Sequence, residues 1–227
     1  MSLKTVKVPK RIEPLFKQAE EYVSEYFNKL DLSPSTGQIH INNERYILVR
    51  AESLSVHFLE FLINMYPSLK SNEARSASSK VLFDMGHTIG KADAASFNNK
   101  SNKTDPIEKL SCGPVHFAHT GWSFVDILES SNPSPDEDFY MLYDHPHSFE
   151  SDSWLNSDRE ANFCTCHMNA GYSSGWCTQS FEVEVIAREI LCRSKGDKVC
   201  RFIMSPPHRL EEHIEAYKKQ NKEIFEK

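Results

Sequence analysis

A chain of 227 residues with 26 basic against 32 acidic residues, a formal charge of −6 and a pI near 5.9 has no basic stripe to track a nucleic-acid backbone. No apolar run approaches a membrane span, and nothing after Met1-Ser-Leu-Lys-Thr-Val-Lys7 looks like a secretory signal. Its six cysteines therefore point to a cytoplasmic protein whose thiols serve metal or redox chemistry rather than a disulfide frame.

In chain order, Leu15, Phe16, Ala19, Tyr22, Val23, Tyr26, Phe27 and Leu30 recur at helical spacing behind Pro14, so residues 1–32 read as an amphipathic helix. Ser33-Pro-Ser-Thr-Gly37 breaks it. Ile39 and Ile41, then Tyr46-Ile-Leu-Val49, read as a short hairpin. Leu54 to Tyr66 reads as a buried helix on Leu54, Phe58, Phe61, Leu62 and Met65, and Asn72 to Phe97 as a longer one. Gly86 and Gly90, four apart in the longer helix, allow another backbone to come close. A polar break follows at Asn98 to Asn102. Asp105-Pro-Ile-Glu108 then starts a further helix as an N-cap with a capping acid.

Trp122 to Leu128 and Phe139 to Tyr143 read as strands, and His145 and His147 as solvated loop histidines. Ser157-Asp-Arg-Glu160 has the form of a capping box opening a helix through Ala161 and Phe163. Beyond Pro207, Leu210, Ile214, Tyr217, Asn221 and Ile224 form a coiled-coil seam with one polar position. That linker helix, residues 206–227, is expected to dimerise and to run on towards a further module.

The richest chemistry lies between Glu189 and Cys200. Folding the chain about Gly196-Asp197 makes a hairpin with Cys192 opposite Cys200. Glu189 would face the other way on a regular strand, so joining the thiols requires a bulge or a local irregularity. A third thiol, Cys166 or its neighbour Cys164, would complete a closed tetrahedral zinc site, which suits structure or sensing rather than metal catalysis. A Cys192–Cys200 disulfide and inert buried thiols are the alternatives.

Two sets of motifs resemble a known family. Trp154-Leu-Asn-Ser157-Asp-Arg-Glu160-Ala161, Cys166, Gly171-Tyr-Ser-Ser-Gly-Trp-Cys177, Glu189-x-x-Cys192 and Gly196-Asp-x-x-Cys200-Arg-Phe resemble the vinyl-reductase-type small-molecule-binding domain. Gly37-Gln-Ile-His-Ile41, Arg45-Tyr-Ile-Leu-Val49, Gly86-His-Thr-Ile-Gly90 and Cys112-Gly-Pro114 resemble the N-terminal sensory region of XylR-like activators of aromatic catabolism, which answer to phenols and xylenes.

The resemblance implies an α/β (α+β) sensor: an antiparallel sheet with packed helices, a zinc-stabilised hairpin and a C-terminal linker helix. Residues 33–130 would form its N-terminal half and 131–205 the zinc and ligand-binding half. It further implies structural zinc on Cys166, Glu189, Cys192 and Cys200, and a ligand hydroxyl held by Trp154 with His116 or His119. The chain's own crowding of Trp122, Phe124, Tyr140, Phe163 and Tyr172 suits an aromatic-walled pocket.

The function expected is therefore small-molecule sensing, of an aromatic or apolar effector, by a homodimeric input domain. Its output module, an AAA+ activator or a histidine kinase, would be separate. A tetrapyrrole vinyl-reductase enzyme and a ligand-free dimeric scaffold are the competing readings. No Gly-rich nucleotide loop, Ser/His/Asp arrangement or open metal position supports catalysis.

Overall fold

The computed structural model describes residues 3–101 and 103–225. Its centre is a five-stranded sheet in the order β1 (Val6–Lys7), β5 (Ser123–Ile127), β6 (Met141–Ser148), β8 (Cys200–Ser205) and β7 (Ile186–Leu191). Only β1 and β5 run parallel; the other neighbours are antiparallel. The sheet draws strands from both sides of residue 130, and β1 comes from the N-terminal segment, so the segments expected from sequence share one core.

Alternation along the strands gives the sheet two apolar faces. Val125, Ile127, Met141, Tyr143, Phe202 and Met204 join the main core with α4 (Pro106–His119) and α6 (His167–Phe181). Leu142 and Ile203 face the other way, where Leu210 and Ile214 of α7 (Leu210–Gln220) cover them. That contact corrects the coiled-coil expectation, because the first two seam residues are consumed inside the chain. The helix also stops at Asn221, whose amide donates to the Tyr217 carbonyl at 2.9 Å, before α8 (Lys222–Phe225) begins. The last two seam turns are not one helix with the first.

The N-terminal helix α1 (Glu13–Phe27) buries Phe16, Ala19, Val23 and Tyr26 and packs on α4. Leu30 leaves that face and enters a separate three-stranded sheet, β2 (Leu30–Ser33), β3 (Gln38–Ile41) and β4 (Glu44–Tyr46). The second expected strand is therefore short: Ile47, Leu48 and Val49 extend beyond it, 73%, 85% and 53% exposed. A π-helical turn at Ser53–His57 precedes α2 (Phe58–Asn64). The wider turn rotates the helix face, so Val56, Leu59 and Leu62 are buried while the expected Phe61 and Met65 are more than half exposed.

Helix α3 (Ser71–Ser101) runs through the expected polar break as far as Ser101; Asn102 lies outside the described residues. It buries Ala74, Ser78, Leu82, Gly86, Gly90 and Ala94, a narrow stripe of mostly small residues at every fourth position. There it meets α6. A Cβ on Gly86 or Gly90 would strike the Met168 or Tyr172 carbonyl, and one on Gly171 or Gly175 would strike the Phe83 or His87 carbonyl. Both pairings advance by four residues in the same direction, so α3 and α6 lie parallel with their backbones in contact.

Two further expectations change. No helix opens at Ser157; its hydroxyl donates to the Trp154 carbonyl at 2.8 Å and closes the preceding helix α5 (Phe149–Leu155). His145 is not in a loop but in β6 and fully buried, while His147 on the same strand is exposed. Among the described residues, no helix is long and apolar enough to cross a membrane.

Candidate metal centre and apolar groove

The β7–β8 hairpin and the N-terminus of α6 bring Cys166, Glu189, Cys192 and Cys200 together, with one potential ligand atom of each within 4.8 Å of the others. Cys192 follows β7, Cys200 opens β8, and Cys166 is the residue before α6. The strands pair Glu189 with Phe202 but Leu191 with Arg201, so β7 carries one extra residue, a β-bulge. The bulge turns Glu189 towards the thiols, as the sequence required. Cys164 stays outside the group and is partly exposed.

Cys166 Sγ lies 3.6 Å from Cys200 Sγ, which lies 3.9 Å from Cys192 Sγ. A tetrahedron with metal–sulfur bonds of about 2.3 Å has an edge of about 3.8 Å. A disulfide needs about 2.05 Å, so these distances fit ligands around a shared ion and all three thiols are free. Glu189 Oε2 accepts from the Cys166 backbone N–H at 2.9 Å, while its Oε1 is buried with no hydrogen-bond partner among the described residues. That leaves one carboxylate oxygen available as a fourth donor.

The surroundings orient the sulfurs. Ser194 Oγ is 2.9 Å and Thr165 Oγ1 3.5 Å from Cys192 Sγ, the Arg193 N–H donates to Cys200 Sγ at 3.4 Å, and Ser148 Oγ is 3.3 Å from Cys166 Sγ. The Asp197 carboxylate accepts from the Cys192 N–H at 2.9 Å. Hydrogen bonds from Cys166 and Cys200 push the Cys192 thiol strongly down, whereas burial pushes the Cys166 thiol and the Glu189 carboxyl well up. Left to themselves, four such groups cannot all ionise in this dry site; a divalent cation would hold all four ionised.

Nearby, the buried Glu150 carboxylate accepts from the Met168 and Asn169 N–H groups at 3.0 and 2.8 Å, capping α6. Burial raises its pKa to about 8. Neither Glu150 nor Ser194 stood out in the sequence, because their partners become neighbours only on folding.

The expected ligand residues do not form one cluster. Tyr140 is on the α7 side of the sheet, its ring 4.9 Å from His213, and Phe124 borders an open surface hollow with Lys4 and His147. His119 stacks on Phe27 at 4.8 Å. His116 is buried 2.9 Å from the Tyr172 hydroxyl, which donates to Asp93 at 2.9 Å. Trp154 packs edge-on against Phe163 in a second apolar cluster with Leu82 and Met168.

Over that second cluster lies a groove of about 350 Å³ lined by Leu54, Met85, Ile89, Trp122, Phe149 and Met168, with the exposed Ile47, Leu48 and Val49 along its rim. A narrower apolar cavity of about 30 Å³ lies between Phe117, Tyr143 and Trp176. Trp122, one of the expected ligand residues, is a groove wall. The π-helical turn before α2, which borders the groove, carried no sequence signal beyond its apolar side chains, and Ile47–Val49, read from sequence as part of a strand, lie along the rim instead.

Residues 26–131 match the XylR_N family, described as activator of aromatic catabolism. No curated protein sequence matches the chain. Among solved structures, the phenol-responsive sensory domain of the transcription activator PoxR with phenol is similar at a TM-score of 0.70 and 19% identity, covering 89% of this chain and 96% of that one. A trafficking protein particle complex subunit 3 from Naegleria fowleri, covalently bound to palmitic acid, reaches a TM-score of 0.47 at 14% identity, over 68% of this chain and 93% of that one. The first likeness bears out the expected mixed α+β fold of antiparallel sheet and packed helices. The matching family and the first of these structures are both described as transcription regulators or activators. Residues 26–131 are thus similar to the XylR_N family of activators of aromatic catabolism, and the chain shares the fold of the phenol-responsive sensory domain.

Proposed function

We propose that this chain is the small-molecule-sensing input domain of a transcription regulator, and that its effector is an aromatic or similarly small apolar compound. The observation that carries this is the groove of about 350 Å³ walled by Trp122, Phe149, Met85 and Ile89 on a sensory-domain scaffold. A ring placed there would gain dispersion contacts and cover apolar surface. A ligand-free scaffold would fill that space with its own side chains. The test is thermal shift with a panel of monoaromatics: binding raises the melting temperature by mass action and quenches tryptophan fluorescence through Trp122. A panel without either response overturns the reading.

Structural zinc is proposed at Cys166, Glu189, Cys192 and Cys200. The sulfur spacing and the unpartnered Glu189 oxygen support it, and a reduced cytoplasmic setting keeps the thiols available. Elemental analysis should give about one zinc per chain; a well-folded metal-free protein removes the proposal. The same reading expects a homodimer that passes the signal to an output module, an AAA+ activator or a histidine kinase. Sedimentation of the purified chain tests the dimer.

A further inference from the structure

One side chain joins the sulfur cluster to the groove. Ser148 closes β6 and is 1% exposed. Its hydroxyl accepts from Asn169 Nδ2 at 2.6 Å and lies 3.3 Å from Cys166 Sγ. With its oxygen engaged by that amide, the Ser148 proton is left to point at the sulfur. A metal-bound cysteine is a thiolate, a stronger acceptor than a thiol. The order of donors from Asn169 to Ser148 to Cys166 is therefore the one that an occupied centre favours.

The groove walls are the chain neighbours of these groups. Phe149 follows Ser148, Met168 stands two residues after Cys166, and both line the groove. The Phe149 N–H donates to the Trp122 carbonyl at 2.9 Å, and the two rings meet edge-on at 5.3 Å. Glu150, the next residue, engages both carboxylate oxygens with the Met168 and Asn169 N–H groups. Three consecutive residues thus fasten to Cys166, to the groove and to the start of α6. Glu150 and Asn169 are fully buried, so water does not replace a lost bond in this network.

We propose that Ser148 and Asn169 are positioning residues through which the metal centre sets the groove walls, so that metal occupancy regulates the shape of the effector site. The proposal rests on the zinc reading and on the groove as the effector site. With the centre occupied, Cys166 Sγ is fixed and Ser148 is fixed to it. The Phe149 ring and the start of α6, which carries Met168, then hold one spacing. With the centre empty, the bond to sulfur weakens and both walls are freed to shift. Coupling of this kind is reciprocal: an apolar molecule that fits the metal-set spacing tightens metal binding by the same factor.

The test uses zinc itself, competed against a chromogenic chelator. Ser148→Ala should weaken zinc binding at least about tenfold, the loss usual when a group that orients a metal ligand is removed. Asn169→Ala should weaken it less, and the double variant no more than Ser148→Ala alone, since Asn169 acts through Ser148. Wild-type affinity in Ser148→Ala, or losses that simply add, overturns the proposal and leaves zinc in place. The wild-type protein supplies the second arm, amide hydrogen exchange with and without chelator. Removing zinc should speed exchange at Phe149, Met168 and Asn169 and leave α7 protected. Unchanged exchange at those amides, or protection lost throughout the chain, overturns the metal's hold on the groove walls. If the variants do not fold, this arm decides alone. A protein that takes up no zinc overturns the zinc reading and this one with it. The expected exchange pattern in a protein that binds no monoaromatic keeps the metal's hold on these walls and removes only the effector reading.

Discussion

Glu189 and Cys192 face one point in space although they stand three residues apart on an extended strand. Strict alternation would send them to opposite faces. The extra residue between Glu189 and Leu191 corrects the phase. Deleting Ile190 should therefore restore a regular strand and turn the carboxylate away from the thiols. Metal content should fall well below one per chain. Cys192→Ser should do the same and cost about 4 kcal/mol or more, the range reached when a structural metal is lost. Unchanged metal content in the Ile190 deletion would mean that Glu189 is not a ligand.

The backbone contact between α3 and α6 makes a second prediction. Gly86→Ala directs a methyl group at the Met168 carbonyl, and Gly171→Ala directs one at the Phe83 carbonyl. Each should destabilise by about 1–3 kcal/mol through overpacking. Together they should cost less than the sum, because separating the helices once relieves both clashes. Since Met85, Ile89 and Met168 line the groove, either variant should also weaken effector binding. Urea denaturation of the two single variants and the double variant measures the coupling; strict additivity would mean that the helices do not move as a pair.

The grouping of Glu189, Cys192 and Cys200 was legible because its information is local: a turn at Gly196, thiols placed to face each other across it, and a carboxylate whose wrong parity demanded a bulge. The glycine pair on α3 was legible for the same reason. What failed depended on distant partners. Asp144-His145-Pro146-His147 looks like a loop, yet Asp144 is held in the strand by Arg201 through two bonds of 2.6 and 2.7 Å, 57 residues away in sequence. The capping box at Ser157 reads the same forwards as a helix start and backwards as a helix end, and only the fold decides which. The expected pocket residues do not all meet, because aromatic residues dense in sequence are divided between both faces of the sheet: Tyr140 packs on the α7 side, Tyr172 and Trp122 on the other.

Acid should unfold the chain partly through its buried histidines. Burial, then the charge of His119, lowers the His116 pKa to about 3. An unfolded histidine titrates near 6.5, so the unfolded chain takes the proton first. The contribution of neutral His116 is complete above about pH 6.5 and is lost as pH falls towards 3, at about 1.4 kcal/mol per pH unit. His116→Gln keeps hydrogen-bonding capacity towards Tyr172 but does not titrate. Its stability measured from pH 7.5 to 4.5 should show a slope smaller by that amount. An identical slope would place His116 in contact with water.

The tail helix separates an internal role from an intermolecular one. Leu210 and Ile214 are 1% and 3% exposed and pack on Leu142 and Ile203 of the sheet. Arg201 ties the same helix down through the Tyr217 hydroxyl at 2.5 Å. Ile214→Ala should therefore cost about 2–4 kcal/mol, as expected for a buried truncation. It should leave the sedimentation coefficient unchanged, because the side chain faces its own sheet. Ile224, past the helix break and only partly buried, should move stability by less than about 0.5 kcal/mol when changed to alanine. A continuous coiled-coil seam demands the opposite pattern, with both substitutions shifting the chain towards monomer at micromolar concentration. Paired sedimentation and denaturation measurements on the two variants therefore decide whether this helix closes the fold or joins two copies of it.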